Sequence, residues 1–327
     1  MGKPNPLDLV NLLKGHRTFI QTHNFPDPDA IATAAGLKTF LEAHGVETEI
    51  CYDGRIDQLG TSRMMENFGI QVVQKDRIAD MNAEDYIVVV DGQKYNSNMS
   101  DLPGTEIACI DHHLVVVECE EYAYKDVRKV GSCAAIIVSY FKETNTELPT
   151  LIASALCYGI KMDTADFKRG TTTFDVSMFD YAFQFADPAK ISAMYSNVME
   201  FQDLKAYAAA IENIKIYDRV GFACIPFECV DALIAIISDF ILSLDIVDIS
   251  VVYSVRPTGY KFSVRSENPK VHSGKLVSSA LSGVGSGGGH KAMAGGFVPE
   301  EGVKKLGGEP REELTRRFMD QIEHLDL

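Results

Sequence analysis

The first half of the chain alternates short apolar runs with longer stretches whose apolar residues recur at helical spacing. RTFIQTH (17–23), VETEICYD (46–53), YIVVVD (86–91) and TEIACID (105–111) read as strands. The last two are continuous apolar runs that each end in an acid, the pattern of strands buried on both faces of a parallel sheet. Residues 29–44, 132–144 and 150–161 read as helices. This alternation predicts an α/β fold with a doubly wound, mostly parallel sheet. Ligands of such sheets bind beyond the carboxyl ends of the strands.

The pattern then changes. Residues 174–210 are helix-rich and are expected to bridge two domains. NIKIYDRVGFACIP (213–226) reads as a hairpin and 230–242 as a helix. DISVVYSV and YKFSVRS are strands turned by Pro257, Thr258 and Gly259. A short helix over 273–281 precedes the glycine-rich GVGSGGGHKAMAGG, read as a loop, and an amphipathic helix over 311–324 ends the chain. The second half is therefore expected to be a smaller α+β domain. The boundaries predicted are 1–190, a helical linker over 191–210, and 211–327. A length of 327 residues suits two cores better than one.

Composition adds three constraints. At 46% hydrophobic residues each half can bury an ordinary core. The seven cysteines are scattered, with no CxxC, and read as small buried apolar residues of a reducing compartment. The N-terminus MGKPNPLDLV has no apolar signal core, and the apolar stretch 232–247 is broken by Asp239 and Asp245. A soluble, cytoplasmic protein is expected, with no membrane partner. The net charge of −15 argues against a grip on long nucleic acid, which normally needs a basic surface. No stable binding of duplex DNA is expected. Small phosphorylated substrates fit better, and a homodimer is left open.

The chemistry lies in four clusters placed beside predicted element ends. HNFPDPDA carries His23, Asp27 and Asp29 after the first strand. VVVDGQ places Asp91 at a strand end. IDHH supplies Asp111, His112 and His113, and YGIKMDTADF supplies Asp163 after a helix. Each cluster has an ordinary alternative: a strand-end histidine, a helix-capping aspartate, a turn residue. Asp29 in particular is expected to contribute some capping. The joint occurrence favours chemistry. Carboxylates with imidazoles suit a divalent ion such as Mn²⁺, and six candidate ligands suit a pair of ions sharing a bridging carboxylate. Four carboxylates balance two divalent charges. Without metal they are expected to raise one another's pKa.

These clusters resemble the four motifs of the DHH-family phosphoesterases. GSGGGHKAMAGG and the preceding FSVRS resemble the glycine–histidine signature and arginine-bearing strand of the DHH-associated C-terminal domain. The likeness spans nearly the whole chain and is greatest to NrnA-like oligoribonucleases with 3′-phosphoadenosine-5′-phosphate phosphatase activity. It implies a DHH domain joined by the helical linker to a substrate-binding domain, and two divalent ions, Mn²⁺ preferred, with Mg²⁺ or Co²⁺ able to substitute. His23 and Asp27 would hold one ion. Asp29, His112 and Asp163 would hold the other, and Asp91 would bridge. His113 and His290 would act on the scissile phosphate, and Asp111 would orient a histidine. Arg265, Ser266, Gly287, Gly288, Gly289 and Lys291 would bind substrate, with Arg265 on a second phosphate. Residues 283–288 also spell GxGxxG, but no βαβ unit surrounds them, so a dinucleotide fingerprint is rejected. Gly92 and Gln93 after Asp91, and Ala165 where many relatives have glycine, depart from the family pattern.

The resemblance implies hydrolysis of small nucleotides or short oligonucleotides by a metal-activated water. The alternatives weighed are a cyclic- or linear-dinucleotide phosphodiesterase, an inorganic polyphosphatase or pyrophosphatase, and a non-catalytic nucleotide-binding module.

Overall fold

A computed structural model describes residues 4–56, 59–96, 98–113, 122–196 and 199–323. The chain forms two compact units, residues 1–198 and 199–327. The first contains, in order, α1 (Pro6–Leu13), β1 (Thr18–Gln21), α2 (Pro28–Ala43), β2 (Thr48–Tyr52), α3 (Leu59–Phe68), β3 (Val73–Gln74), β4 (Tyr86–Val90), β5 (Thr105–Asp111), β6 (Tyr124–Val127), α4 (Cys133–Thr144), α5 (Thr150–Asp163), α6 (Thr173–Phe183) and α7 (Pro188–Ala193). The second contains α8 (Asp203–Glu212), β7 (Lys215–Tyr217), β8 (Val220–Ile225), α9 (Asp231–Leu242), β9 (Ile249–Arg256), β10 (Gly259–Ser266), α10 (Ser273–Ala280), β11 (Ser286–Gly289), β12 (Met293–Pro299), α11 (Glu300–Lys305) and α12 (Pro310–Glu323).

The first sheet has the order β3-β2-β1-β4-β5-β6, and every pair is parallel. Its central strands bury both faces, as their continuous apolar runs require. Ile20, Ile50, Val88, Val90, Ala108 and Ile110 join the large core shared with α1, α2, α4 and α5. The alternate residues Phe19, Cys51, Ile87 and Val89 pack with Leu102, Ile78, Met81 and Met99 on the other face. The chain runs from β1 outward to β2 and β3, then crosses back to β4 and proceeds to β5 and β6. The order therefore reverses between β1 and β4, and that switch point is where ligands of open α/β sheets bind.

The second sheet is mixed, with the order β11-β12-β10-β9-β8-β7. Only β8 and β9 pair in parallel, joined through α9; the other pairs are antiparallel. One face packs on α9 through Ile234, Ile237 and Ile241. The other packs on α10 and α12 through Val277, Leu281, Leu314 and Phe318.

Two expectations change here. Ser286 and the glycines 287–289 form β11 at a sheet edge, hydrogen-bonded to β12, and are not a loop. A side chain at Gly287 would meet Val277 Cγ1 at 2.3 Å, so glycine is needed there for the strand to lie against α10. The helix-rich stretch 174–210 also divides between the units, with α6 and α7 in the first and α8 in the second. The expected end of the last helix at His324, and Cys119, lie outside the described residues. The described cysteines are buried, apart from half-buried Cys229. Among the described residues no helix is long and apolar enough to cross a membrane.

Candidate metal centre

The strand ends at the switch point carry the acidic and imidazole side chains. His23 lies two residues beyond β1. Asp27 is the N-cap of α2 and accepts from the Asp29 and Ala30 N–H groups at 2.9 and 3.0 Å. Asp91 follows β4, Asp111 ends β5, and Asp163 ends α5. Asp91 has a left-handed backbone, φ 53°. That conformation costs energy in most residues, is tolerated by aspartate, and collects at functional sites.

Three sets of ligating atoms each lie within 4.8 Å of one another: His23 with Asp27 and Asp91; Asp29 with His112 and Asp163; and Asp91 with Asp111, His112 and His113. The structure thus brings together all six residues expected to bind metal, and Asp91 belongs to two of the sets. His112 Nε2 stands 3.3 Å from Asp91 Oδ1 and 3.1 Å from Asp163 Oδ2. His23 Nε2 is 3.8 Å from Asp91 Oδ2. Asp91 Oδ1 and His112 Nε2 are buried and make no hydrogen bond. An unsatisfied buried polar atom typically costs about 1–3 kcal/mol, and a cation between these two atoms would remove that cost. The donor set, carboxylate oxygen with imidazole nitrogen, fits Mn²⁺.

The supporting contacts fix how each ring points. His112 Nδ1 donates to the Val130 carbonyl at 3.2 Å, which leaves Nε2 for the cluster. His113 Nδ1 is 2.8 Å from Asp111 Oδ1, and Gln93 donates to Asp111 Oδ2 at 2.6 Å. Asp111, fully buried, therefore reaches the site through His113. Asp29 does not cap its own helix. Its carboxylate accepts from the Cys133 and Ala134 N–H groups, at 2.7 and 3.1 Å, at the start of α4. The positive end of α4 thus faces a buried carboxylate.

The electrostatics of the cluster suit a cation. Burial, reinforced by Asp91, raises Asp27 above the usual carboxylate range, and with Asp163 as well raises Asp29 well above it. Burial together with Asp91 and Asp27 pushes Asp163 up to about 6. Asp91 departs from the expected mutual rise. Burial alone would raise it, but His112, His113 and His23 surround it and bring it down to about 2. Burial disfavours a charged His112 ring, yet Asp91, Asp29 and Asp163 outweigh this and push it up to about 11.

The remaining expected residues lie in the second unit. Arg265, on β10, is engaged: its Nε donates to Asp239 at 2.9 Å and its Nη1 to the Ser263 hydroxyl at 3.0 Å. An anion reaching Arg265 must compete with Asp239. Ser266 is buried, and its hydroxyl accepts from the Asn268 N–H at 3.1 Å. Gly287, Gly288 and Gly289 are in β11. The His290 N–H donates to the Met293 carbonyl at 2.8 Å, and the Lys291 carbonyl accepts from Ser273 at 2.9 Å. The His290 and Lys291 side chains are exposed. Sequence reasoning did not single out Val130, Asp175 or Gly159, and treated Gln93 only as a departure. Gln93 stands two residues after Asp91, and that spacing was the one available signal.

A doubly wound parallel sheet with a carboxylate–imidazole cluster at its switch point, followed by a separate mixed-sheet unit, defines the class. Residues 17–160 match the DHH family N-terminal domain and residues 218–318 the DHHA1 domain. The chain belongs to the DHH family of phosphoesterases. It is 28% identical over 284 residues to an uncharacterized protein of Methanocaldococcus jannaschii, covering 86% of this chain and 57% of that one. It is 29% identical over 153 residues to probable manganese-dependent inorganic pyrophosphatases of Streptococcus pyogenes, covering 46% of this chain and 49% of those. The chain thus spans about half the length of the curated relatives it matches. An exopolyphosphatase-related protein from Bacteroides fragilis shares the fold, with a TM-score of 0.77 at 17% identity over 98% of both chains.

Proposed function

We propose that the protein is a manganese-dependent phosphoesterase acting on small nucleotides of the 3′-phosphoadenosine-5′-phosphate type or on short oligonucleotides. The observation that carries this reading is the position of Asp91, grouped with His23 and Asp27 on one side and with His112 on the other, with Asp91 Oδ1 and His112 Nε2 buried and unbonded. His23, Asp27 and Asp91 would hold one ion, and Asp29, His112, Asp163 and Asp91 a second. Such ions supply positive charge against phosphate and lower the pKa of an attacking water. His113, half exposed beside the cluster and hydrogen-bonded at Nδ1 to Asp111, carries the proton that a leaving oxygen needs. Asp111 keeps that ring oriented. Arg265 would take a second phosphate in exchange for Asp239.

The charge of −15 supports small substrates over long chains, because a polyanion gains little on an acidic surface. The similarity to probable inorganic pyrophosphatases supports a second reading, hydrolysis of pyrophosphate or polyphosphate. A single panel with Mn²⁺ decides between them: 3′-phosphoadenosine-5′-phosphate, RNA of two to five nucleotides, a cyclic dinucleotide, pyrophosphate and polyphosphate. The highest kcat/KM is expected for the first or second. A preference for pyrophosphate or polyphosphate would replace the nucleotide reading, and turnover of none of them would reject both.

A further inference from the structure

Asp175, in the first turn of α6, is fully buried and outside the metal cluster. Its Oδ1 accepts from the Gly131 N–H at 3.0 Å and the Ser132 N–H at 3.1 Å. Its Oδ2 accepts from the Gly131 N–H at 2.9 Å, the Thr172 N–H at 2.8 Å and the Thr172 hydroxyl at 2.6 Å. Capping α6 accounts for the Thr172 bonds alone. The bonds to Gly131 and Ser132 hold a distant backbone segment, and that segment supports two residues of the cluster and borders a third.

One residue before Gly131, the Val130 carbonyl takes the Nδ1 proton of His112. Just after Ser132, the Cys133 and Ala134 N–H groups hold the Asp29 carboxylate. Gly131 itself is wedged between two side chains. A Cβ there would stand 2.8 Å from Thr164 Cγ2 and 2.9 Å from Asp175 Oδ2, and Thr164 directly follows Asp163. The hydrogen-bonded supports of Asp29 and His112 therefore converge on residues 130–134, which Asp175 pins, and Gly131 packs closely beside Thr164, the neighbour of Asp163. The other ligand set is held differently: Asp27 takes its hydrogen bonds from the first turn of α2.

We propose that Asp175 is a positioning residue for the metal position formed by Asp29, His112 and Asp163, and that it sets the affinity of that position without touching the ion. The proposal rests on the reading that this cluster holds metal. Hydrogen-bonded supports behind metal ligands commonly change affinity by about ten- to a hundredfold. Here the effect is selective for one of two positions, which general destabilisation of the fold would not produce.

The test is Mn²⁺ titration of the full-length protein by calorimetry and electron paramagnetic resonance, with thermal unfolding followed in parallel. The variants are Asp175→Asn and the milder Thr172→Val, which removes one donor from Asp175. Asp175→Asn is expected to weaken one Mn²⁺ equivalent about ten- to a hundredfold and leave the other unchanged. Thr172→Val is expected to weaken the same equivalent by less, and it decides the matter alone if Asp175→Asn does not fold. Wild-type affinity at both positions, or equal weakening of both, overturns the proposal while leaving the functional reading intact. A wild-type protein that binds no Mn²⁺ overturns both.

Discussion

Asp111 Oδ1 lies 2.8 Å from His113 Nδ1, on a carboxylate whose other oxygen is held by Gln93 at 2.6 Å. Burial disfavours a charged His113 ring, but the bond to Asp111 and the nearby charge of Asp91 prevail and hold its pKa above the ordinary value. A group held up in this way keeps its proton to higher pH and loses it as pH rises through the raised value. Asp111→Asn removes one of the two charges that hold it up. The basic limb of the kcat–pH profile is then expected to move to lower pH by about one unit, with kcat reduced about ten- to a hundredfold. An unmoved basic limb would show that His113 is not the proton donor.

The candidate ligand set also carries an expectation for how Mn²⁺ binding depends on pH. Asp163 is pushed up to about 6 and His112 to about 11, and Asp27 and Asp29 are raised as well. The metal-free cluster therefore retains protons that an entering ion must displace. Mn²⁺ affinity is expected to increase with pH between about 5 and 8, with proton release measurable by calorimetry in buffers of different ionisation enthalpy. Binding that is independent of pH would contradict this.

Gly159 sets the approach of α5 to α2. A methyl group there would stand 2.8 Å from Ala32 Cβ and 3.3 Å from Asp29 Oδ1. Asp163 lies one helical turn further along the same face. Gly159→Ala is expected to cost about 1–3 kcal/mol through overpacking, offset by about 1 kcal/mol of helix propensity, and to weaken Mn²⁺ binding. Thermal unfolding and metal titration check the two effects separately.

Beyond Asp163 the backbone turns left-handed at three consecutive residues, Ala165, Asp166 and Phe167, with φ of 48°, 55° and 64°. The alanine that departs from the family's glycine thus occupies a position where a Cβ is unfavourable. Ala165→Gly is expected to stabilise the protein by about 1 kcal/mol, the steric relief exceeding the entropy lost by glycine. A lower melting temperature in this variant would contradict that reading.

The candidate cluster was legible because aspartates and histidines interrupt apolar runs at the ends of β1, β4 and β5. The topology of a parallel sheet then gathers those ends without further information. What was not legible acts through distances that only the fold creates. The Val130 carbonyl reaches His112, and Asp175 reaches Gly131, 44 residues earlier in the chain. β6 went unassigned because Lys125 and Asp126 break its apolar character, although Asp126 is buried and paired with Arg128 at 2.7 Å. The glycine run 287–289 read as a loop because glycine reports a permissive backbone and not the helix packed against it. The ion pair of Arg265 with Asp239 was equally invisible, since their pairing depends on α9 crossing β10.

The most direct test of the metal centre is the Mn²⁺ content of wild type and Asp91→Ala, measured after chelation, reloading and removal of free metal. Asp91 groups with His23 and Asp27 and stands 3.3 Å from His112, which groups with Asp29 and Asp163, so its removal should leave both positions weak. The wild type is expected to retain two equivalents and Asp91→Ala neither. An Asp91→Ala protein that retains as much Mn²⁺ as the wild type would show that this cluster is not the metal centre.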